Sequence, residues 1–168
     1  MRSHILLVAC LLATPLSAQQ MPGSPLIDYA GFQALTDEGQ PHRLERLIKL
    51  DEFNQRGAKR DVLILDARSA RAFKAGHIKG AVNLPLPDFT ADSLAEVIGK
   101  SRGREILIYC NNNFVNNRDP VRTKALPLAL NIQTFINLYG YGYKNVYELG
   151  EAVDMDAPNV HWVSAAAT

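Results

Sequence analysis

Val62-Leu63-Ile64-Leu65-Asp66-Ala67-Arg68 and Glu105-Ile106-Leu107-Ile108-Tyr109-Cys110 decide the fold. Each holds an unbroken apolar run that stops at a polar or reactive residue. A strand apolar on both faces belongs in a parallel sheet covered from both sides; a half-exposed strand would alternate. The segments around them alternate in kind. Arg46-Leu47-Ile48-Lys49-Leu50 has the length of a short strand, and Asp51 is placed to cap a helix over Glu52–Arg56 that Gly57 stops. Ser69–Lys74 allows one or two helical turns before Gly76, and Ala81–Leu84 is a short strand ended by Pro85 and Pro87. Thr90 caps a helix over Asp92–Ile98, Leu128–Tyr139 has helical apolar spacing, and Asn145–Leu149 makes a last strand. Strands alternating with helices at this spacing predict an α/β domain with helices on both faces of a parallel sheet.

The rest of the chain adds an address and two ends. The 168 residues bound the protein to one ordinary domain with short extensions. A composition 47% hydrophobic and 21% charged is globular, and a net charge of +1 argues against nucleic-acid binding through bulk charge. Arg2, the apolar run Ile5–Ala13 and the small residues before Gln19 have the form of a secretory signal peptide over residues 1–18, cut after Ala18. The run falls short of the ~20 residues that span a bilayer, and no other stretch is long enough, so a protein that is not transmembrane, and is periplasmic or secreted, is expected. Leu7-Val8-Ala9-Cys10 also has the form of a lipoprotein box, but only nine residues would precede the cysteine and the apolar core would be cut short. Residues 19–45 form an N-terminal extension, expected to be irregular or briefly helical. Residues 46–153 form the domain. Residues 154–168 form a polar tail, expected to be loosely attached.

Loss of the signal removes Arg2 and Cys10, leaving Lys+Arg equal to Asp+Glu at 17 and Cys110 as the single cysteine. Two cysteines already exclude a disulfide-rich scaffold and a cysteine-based zinc finger. His4, His42 and His161 have no metal-like spacing, and neither metal nor cofactor is called for. Ligands of open α/β sheets bind beyond the carboxyl ends of the strands, where Asp66-Ala67-Arg68 and Cys110 both fall. A cysteine between a strand end and a loop entering a helix can be ringed by backbone N–H groups. Such a ring lowers a thiol pKa from about 8.5 to roughly 3.5–7.5 and supplies a nucleophile without a partner base. The competing reading is a small buried hydrophobe at a strand end.

Leu63–Arg68, Phe73-Lys74-Ala75-Gly76-His77-Ile78-Lys79-Gly80-Ala81-Val82-Asn83-Leu84-Pro85, Ile106–Cys110 and Gly142-Tyr143-Lys144-Asn145-Val146-Tyr147-Glu148-Leu149 together resemble the rhodanese (sulfurtransferase) domain. The resemblance implies a doubly wound α/β domain with a central five-stranded parallel sheet. It implies that Cys110 takes a sulfane sulfur from a small sulfur donor, holds it as a persulfide and passes it to a thiol or cyanide-like acceptor. It further implies that the loop after Cys110 contacts substrate, which points to Asn111, Asn112, Asn113, Phe114, Val115 and Asn116; in the enlarged part of that loop Arg118, Arg122 and Lys124 are placed to hold an anionic donor. Asp66 and Arg68 are expected to be structural, and His77 to lock the turn into the next strand. Oligomeric state is not legible.

The chain departs from the family pattern at three places. The loop after Cys110 is long, holds five asparagines and no glycine, and carries Pro120 and Pro127. Asparagine tolerates left-handed backbone better than most residues, so a curved cradle can still be built. Ala72 stands where the family has an acidic partner for Arg68, and Gly150-Glu151 replaces a Gly-Gly pair. The remodelled loop keeps a non-catalytic binding or thiol-sensing module as the alternative. An oxyanion-binding phosphatase or arsenate reductase would need a Cys-x5-Arg loop, and here that position is Asn116, with Arg118 two residues late.

Overall fold

A computed structural model describes residues 23–164. The signal segment 1–18 with its Cys10, residues 19–22 and the last four residues of the tail lie outside the described residues. The chain enters through α1 (Tyr29–Leu44), a 16-residue helix where only an irregular or briefly helical extension was expected. Its apolar residues have no clean 3.6-residue period, and Pro41 sits inside it, where it removes a hydrogen bond. Capping and tertiary contacts hold the helix instead. Asp28 accepts from the Gly31 N–H, Tyr139 donates from its hydroxyl to Glu38, and His42 hydrogen-bonds the Lys144 carbonyl at 2.7 Å.

The alternation then follows. β1 (Leu47–Ile48), α2 (Leu50–Gly57), β2 (Leu63–Asp66), α3 (Ala70–Ala75), β3 (Gly76–Ile78), β4 (Val82–Asn83), α4 (Ala91–Val97), β5 (Ile106–Tyr109), α5 (Leu130–Gly140), β6 (Val146–Leu149) and β7 (Trp162–Ser164) succeed one another along the chain. Thr90 caps α4 in a reciprocal box with Ser93, as its sequence position implies, and Ser69, expected inside α3, is its N-cap. Asp51 does not cap α2. The helix begins two residues earlier, at Leu50, and the Leu50 N–H is taken by the Glu151 carboxylate at 2.8 Å, an acceptor far along the chain that local sequence cannot reveal.

Five parallel strands form the main sheet in the order β1-β6-β5-β2-β4. Leu63, Ile64, Leu65 and Asp66 of β2 pair in register with Ile106, Leu107, Ile108 and Tyr109 of β5. Alternate residues therefore feed opposite faces. Leu63, Leu65, Ile106 and Ile108 pack with Leu94 of α4 and with Phe135 and Leu138 of α5. Ile64, Leu107 and Tyr109 pack on the other face with Phe53 of α2, Phe114, Val121 and Val160. Burial on both sides is the physical reason these strands are apolar without alternation.

The described part of the tail, residues 154–164, is not loose. Met155 and Val160 are buried in the second core, and β7 pairs antiparallel with β3, Trp162 opposite Ile78. A polar stretch with few apolar residues can dock firmly when each of those residues fills a specific gap.

Candidate functional site at the end of β5

Cys110 follows β5 directly and is 1% exposed. Its backbone is extended, and the chain turns immediately into a short 3-10 segment over Asn111–Asn113. The Asn113 N–H turns back to the Cys110 sulfur. Backbone N–H groups of Asn112, Asn131 and Leu130 also bear on it. Leu130 and Asn131 open α5, whose N-cap is Ala129, a residue with no side-chain acceptor. The sulfur thus lies among first-turn N–H groups that a helix otherwise leaves unsatisfied. A convergence of N–H groups from two elements can stabilise an anion.

Two other influences oppose the cradle. Burial, the largest, pushes the Cys110 thiol up, the N–H groups of Asn112 and Asn131 pull it down, and the Glu148 carboxylate pushes it up again. The net direction is upward, which corrects the expectation of a lowered thiol pKa. N–H donors favour the thiolate, but loss of solvent around a buried sulfur costs more. Glu148 is on β6 and is held by Arg43 of α1 through two hydrogen bonds of 2.6 Å. The thiol itself donates to Oδ1 of Asn131.

The asparagines of the loop tie it together through their side-chain amides. Asn112 clamps Lys124 through two hydrogen bonds: its Nδ2 donates to the Lys124 carbonyl and its Oδ1 accepts from the Lys124 N–H. Asn113 accepts from the Cys110 N–H and donates to the carbonyls of Leu149 and Glu151. Asn116 donates to Asp154 and accepts from the Met155 N–H, and Asn117 accepts from the Thr123 N–H. Asn117 has φ +39°, the left-handed conformation that asparagine tolerates. A side-chain amide has the same donor and acceptor as a peptide group, so it can stand in for secondary structure in an irregular loop.

The other expected site residues are dispersed. Phe114 turns inward, edge-on to Tyr109 and Trp162, and belongs to the core. Val115 points to solvent. Arg118 pairs with Asp156 at 2.6 Å and Arg122 with Asp119 at 3.3 Å, all four exposed. Asn111 and Arg122 line a cavity of about 200 Å³ with Arg71 and Asp119. A larger cavity of about 390 Å³ is lined by Asn112, Asn113, Asn131, Arg43, Glu148 and Thr123, among others. Asn131, Glu148 and Arg43 escaped the sequence reading. Glu148 left one signal, a carboxylate inside an apolar strand; Arg43 left none.

Asp66 and Arg68 form a buried structural hub. Arg68 grips Asp66 through Nε and Nη2, donates from Nη2 to the Gly76 carbonyl at 2.7 Å, and donates from Nη1 to the Pro120 carbonyl at 3.2 Å. The Tyr109 hydroxyl donates to Asp66 at 2.6 Å and accepts from the Ile78 N–H. Asp66 itself therefore supplies the ion pair that Ala72 cannot. His77 stacks on Phe73 and hydrogen-bonds the Phe73 carbonyl through Nδ1 at 2.8 Å, which locks the turn between α3 and β3.

The family model for the rhodanese-like domain matches residues 49–152. The chain belongs to the rhodanese-like family. Within that domain, β5 and its cysteine stand at the centre of the sheet, while Arg43, Met155 and Trp162 come from outside the matched segment. A curated relative, the HTH-type transcriptional regulator Rv0324 of Mycobacterium tuberculosis, is 36% identical over 70 residues, which are 42% of this chain and 29% of that protein. The chain thus spans less than a third of that relative. Among solved structures, the Alr3790 protein from Anabaena sp. aligns with a TM-score of 0.45 and 21% identity, over 61% of this chain and 68% of that one. The BH2092 protein from Bacillus halodurans aligns with a TM-score of 0.45 and 18% identity, over 69% and 76%. No helix among the described residues is long and apolar enough to cross a membrane.

Proposed function

We propose that this rhodanese-like protein is an exported sulfurtransferase that carries sulfane sulfur as a persulfide on Cys110. The observation that carries the reading is the set of backbone N–H groups from the 111–113 turn and the start of α5 around one sulfur. The thiol first gives its proton to solvent. The thiolate then attacks the sulfane sulfur of a donor such as thiosulfate, forming a new S–S bond while the donor's S–S bond breaks and sulfite leaves with the electron pair. An acceptor thiolate or cyanide next attacks the outer sulfur, forming an S–S or C–S bond and returning Cys110 as the thiolate. The N–H cradle favours the anion at both stages. A single cysteine in the exported chain suits a persulfide, because no resolving thiol stands by to turn it into an internal disulfide.

The test is direct. Purified protein mixed with thiosulfate and cyanide should produce thiocyanate, and intact-mass measurement should find one added sulfur on Cys110. Cys110→Ser should abolish both. Changing Arg118 and Arg122 together to Ala should raise the apparent KM for thiosulfate if they hold the donor. Export is tested by N-terminal sequencing of the mature protein, expected to begin at Gln19. Burial of Cys110 favours a second reading, a non-catalytic binding or thiol-sensing module. Failure to gain sulfur from thiosulfate or from an organic persulfide would leave that reading standing and remove the first.

A further inference from the structure

We infer that Asn131 is a positioning residue that holds Cys110 closed as a protonated thiol, and that its amide must turn away before the sulfur can meet a substrate. The inference deepens the proposal above and rests on Cys110 being the reacting group, but not on which sulfur compound it meets.

The argument is a count of donors and acceptors. Asn113 Oδ1 accepts from the Cys110 N–H at 2.9 Å, and Asn113 Nδ2 donates to the Leu149 and Glu151 carbonyls at 2.6 and 3.1 Å. Flipping that amide would set its NH2 against an N–H and its oxygen against two carbonyls, so backbone groups fix its orientation. Asn131 Nδ2 donates to Asn113 Oδ1 at 2.8 Å, which fixes the second amide in turn. Asn131 Oδ1 is what remains to face the sulfur. An oxygen in that position is satisfied by S–H. A thiolate would face a carbonyl oxygen, and a persulfide would have no proton to offer it.

The same side chain also stands in the way. Asn131 and Asn113 are 5% and 6% exposed, and both line the cavity of about 390 Å³, whose wall does not include Cys110 itself. The charged groups near the sulfur and in that cavity are held elsewhere: Glu148 on β6, which acts on the sulfur, by Arg43 of α1, and Glu151, which lines the cavity, by the Leu50 N–H. Turning the Asn131 side chain into the cavity would open the sulfur and leave the N–H groups of Asn112, Leu130 and Asn131 to face the anion. Proton loss and opening are therefore one event.

Alkylation of Cys110 by iodoacetamide, followed by intact mass from about pH 6 to about pH 10, reads this without any sulfur donor. Asn131→Ala should move the midpoint of the pH–rate profile down by about one unit and speed alkylation near neutrality about tenfold. Asn131→Asp keeps an acceptor towards the sulfur and adds charge, so its midpoint should move up and its rate fall. Asn131→Ser serves if the alanine variant does not fold, and should shift in the alanine direction. Wild-type midpoints in the alanine or serine variant would overturn the inference. Shifted midpoints in a protein that never gains sulfur would leave the latch standing and remove the sulfurtransferase reading.

Discussion

Arg43 meets the Glu148 carboxylate side-on, Nε to Oε2 and Nη2 to Oε1, both at 2.6 Å. The helix that carries Arg43 lies before the rhodanese-like match, yet its guanidinium neutralises the one carboxylate that pushes on the Cys110 thiol. Arg43→Ala should leave Glu148 charged and buried. Removing one partner of a buried pair costs about 3–5 kcal/mol; Arg43 is 23% exposed, so about 2 kcal/mol is expected in urea denaturation. Adding Glu148→Gln should restore more than half of that loss. An unchanged midpoint in Arg43→Ala would remove α1 from the energetics of the site.

The hub of Asp66 and Arg68 should matter more for stability than any loop residue. Arg68 joins β2 to the start of β3 and to Pro120 of the loop, and it lies under the Trp162 ring at 5.4 Å. Arg68→Met keeps the bulk but strands the buried Asp66 carboxylate, and should cost about 3 kcal/mol or more. Asp66 keeps only the Tyr109 hydroxyl and the Arg68 N–H as partners. Denaturant midpoints compared with those of an exposed variant such as Arg122→Ala check the contrast.

Stability should fall as pH rises into the alkaline range. The folded Cys110 thiol titrates above its unfolded value because of burial, and so does the Tyr109 hydroxyl, first through burial and then through Asp66. A raised folded pKa means that the folded state keeps a proton the unfolded chain has already lost. The stabilising difference is therefore complete below about pH 8.5 and is lost as pH climbs through the folded value. The limiting slope for one group is about 1.4 kcal/mol per pH unit. Cys110→Ala should flatten the first part of the decline and leave the later part, set by Tyr109, in place. Urea midpoints across that range give the answer.

The tail should behave as part of the fold. Trp162 is edge-on to Phe114 and, through β7, covers the edge of β3. Trp162→Ala should cost about 2–3 kcal/mol, below the full range for a buried tryptophan because the ring is half-buried. A chain ending at Ala157 loses Val160 and β7 as well, and should become sensitive to limited proteolysis around Gly76. Equal resistance in the shortened and full chains would return residues 158–164 to the status of an appendage.

The amino-acid sequence by itself determined the sheet and put the candidate cysteine at a strand end. Runs such as Leu63–Leu65 and Ile106–Tyr109 are apolar without alternation because both faces are covered, and that pattern is local and readable. The cap at Thr90, the structural part played by Asp66 and Arg68, and Cys110 at a strand end were legible for the same reason: each depends on residues close in the chain. Tertiary structure alone decided the state of the sulfur. Whether Cys110 behaves as a thiolate or a thiol depends on burial, on Asn131 from α5 and on Glu148 with Arg43, partners between 21 and 105 residues apart. The helix over Tyr29–Leu44 and the docking of Trp162 were hidden likewise, because they exist through contacts with distant segments rather than through a pattern of their own. Desolvation is a property of everything packed around an atom, and no local stretch of sequence carries it.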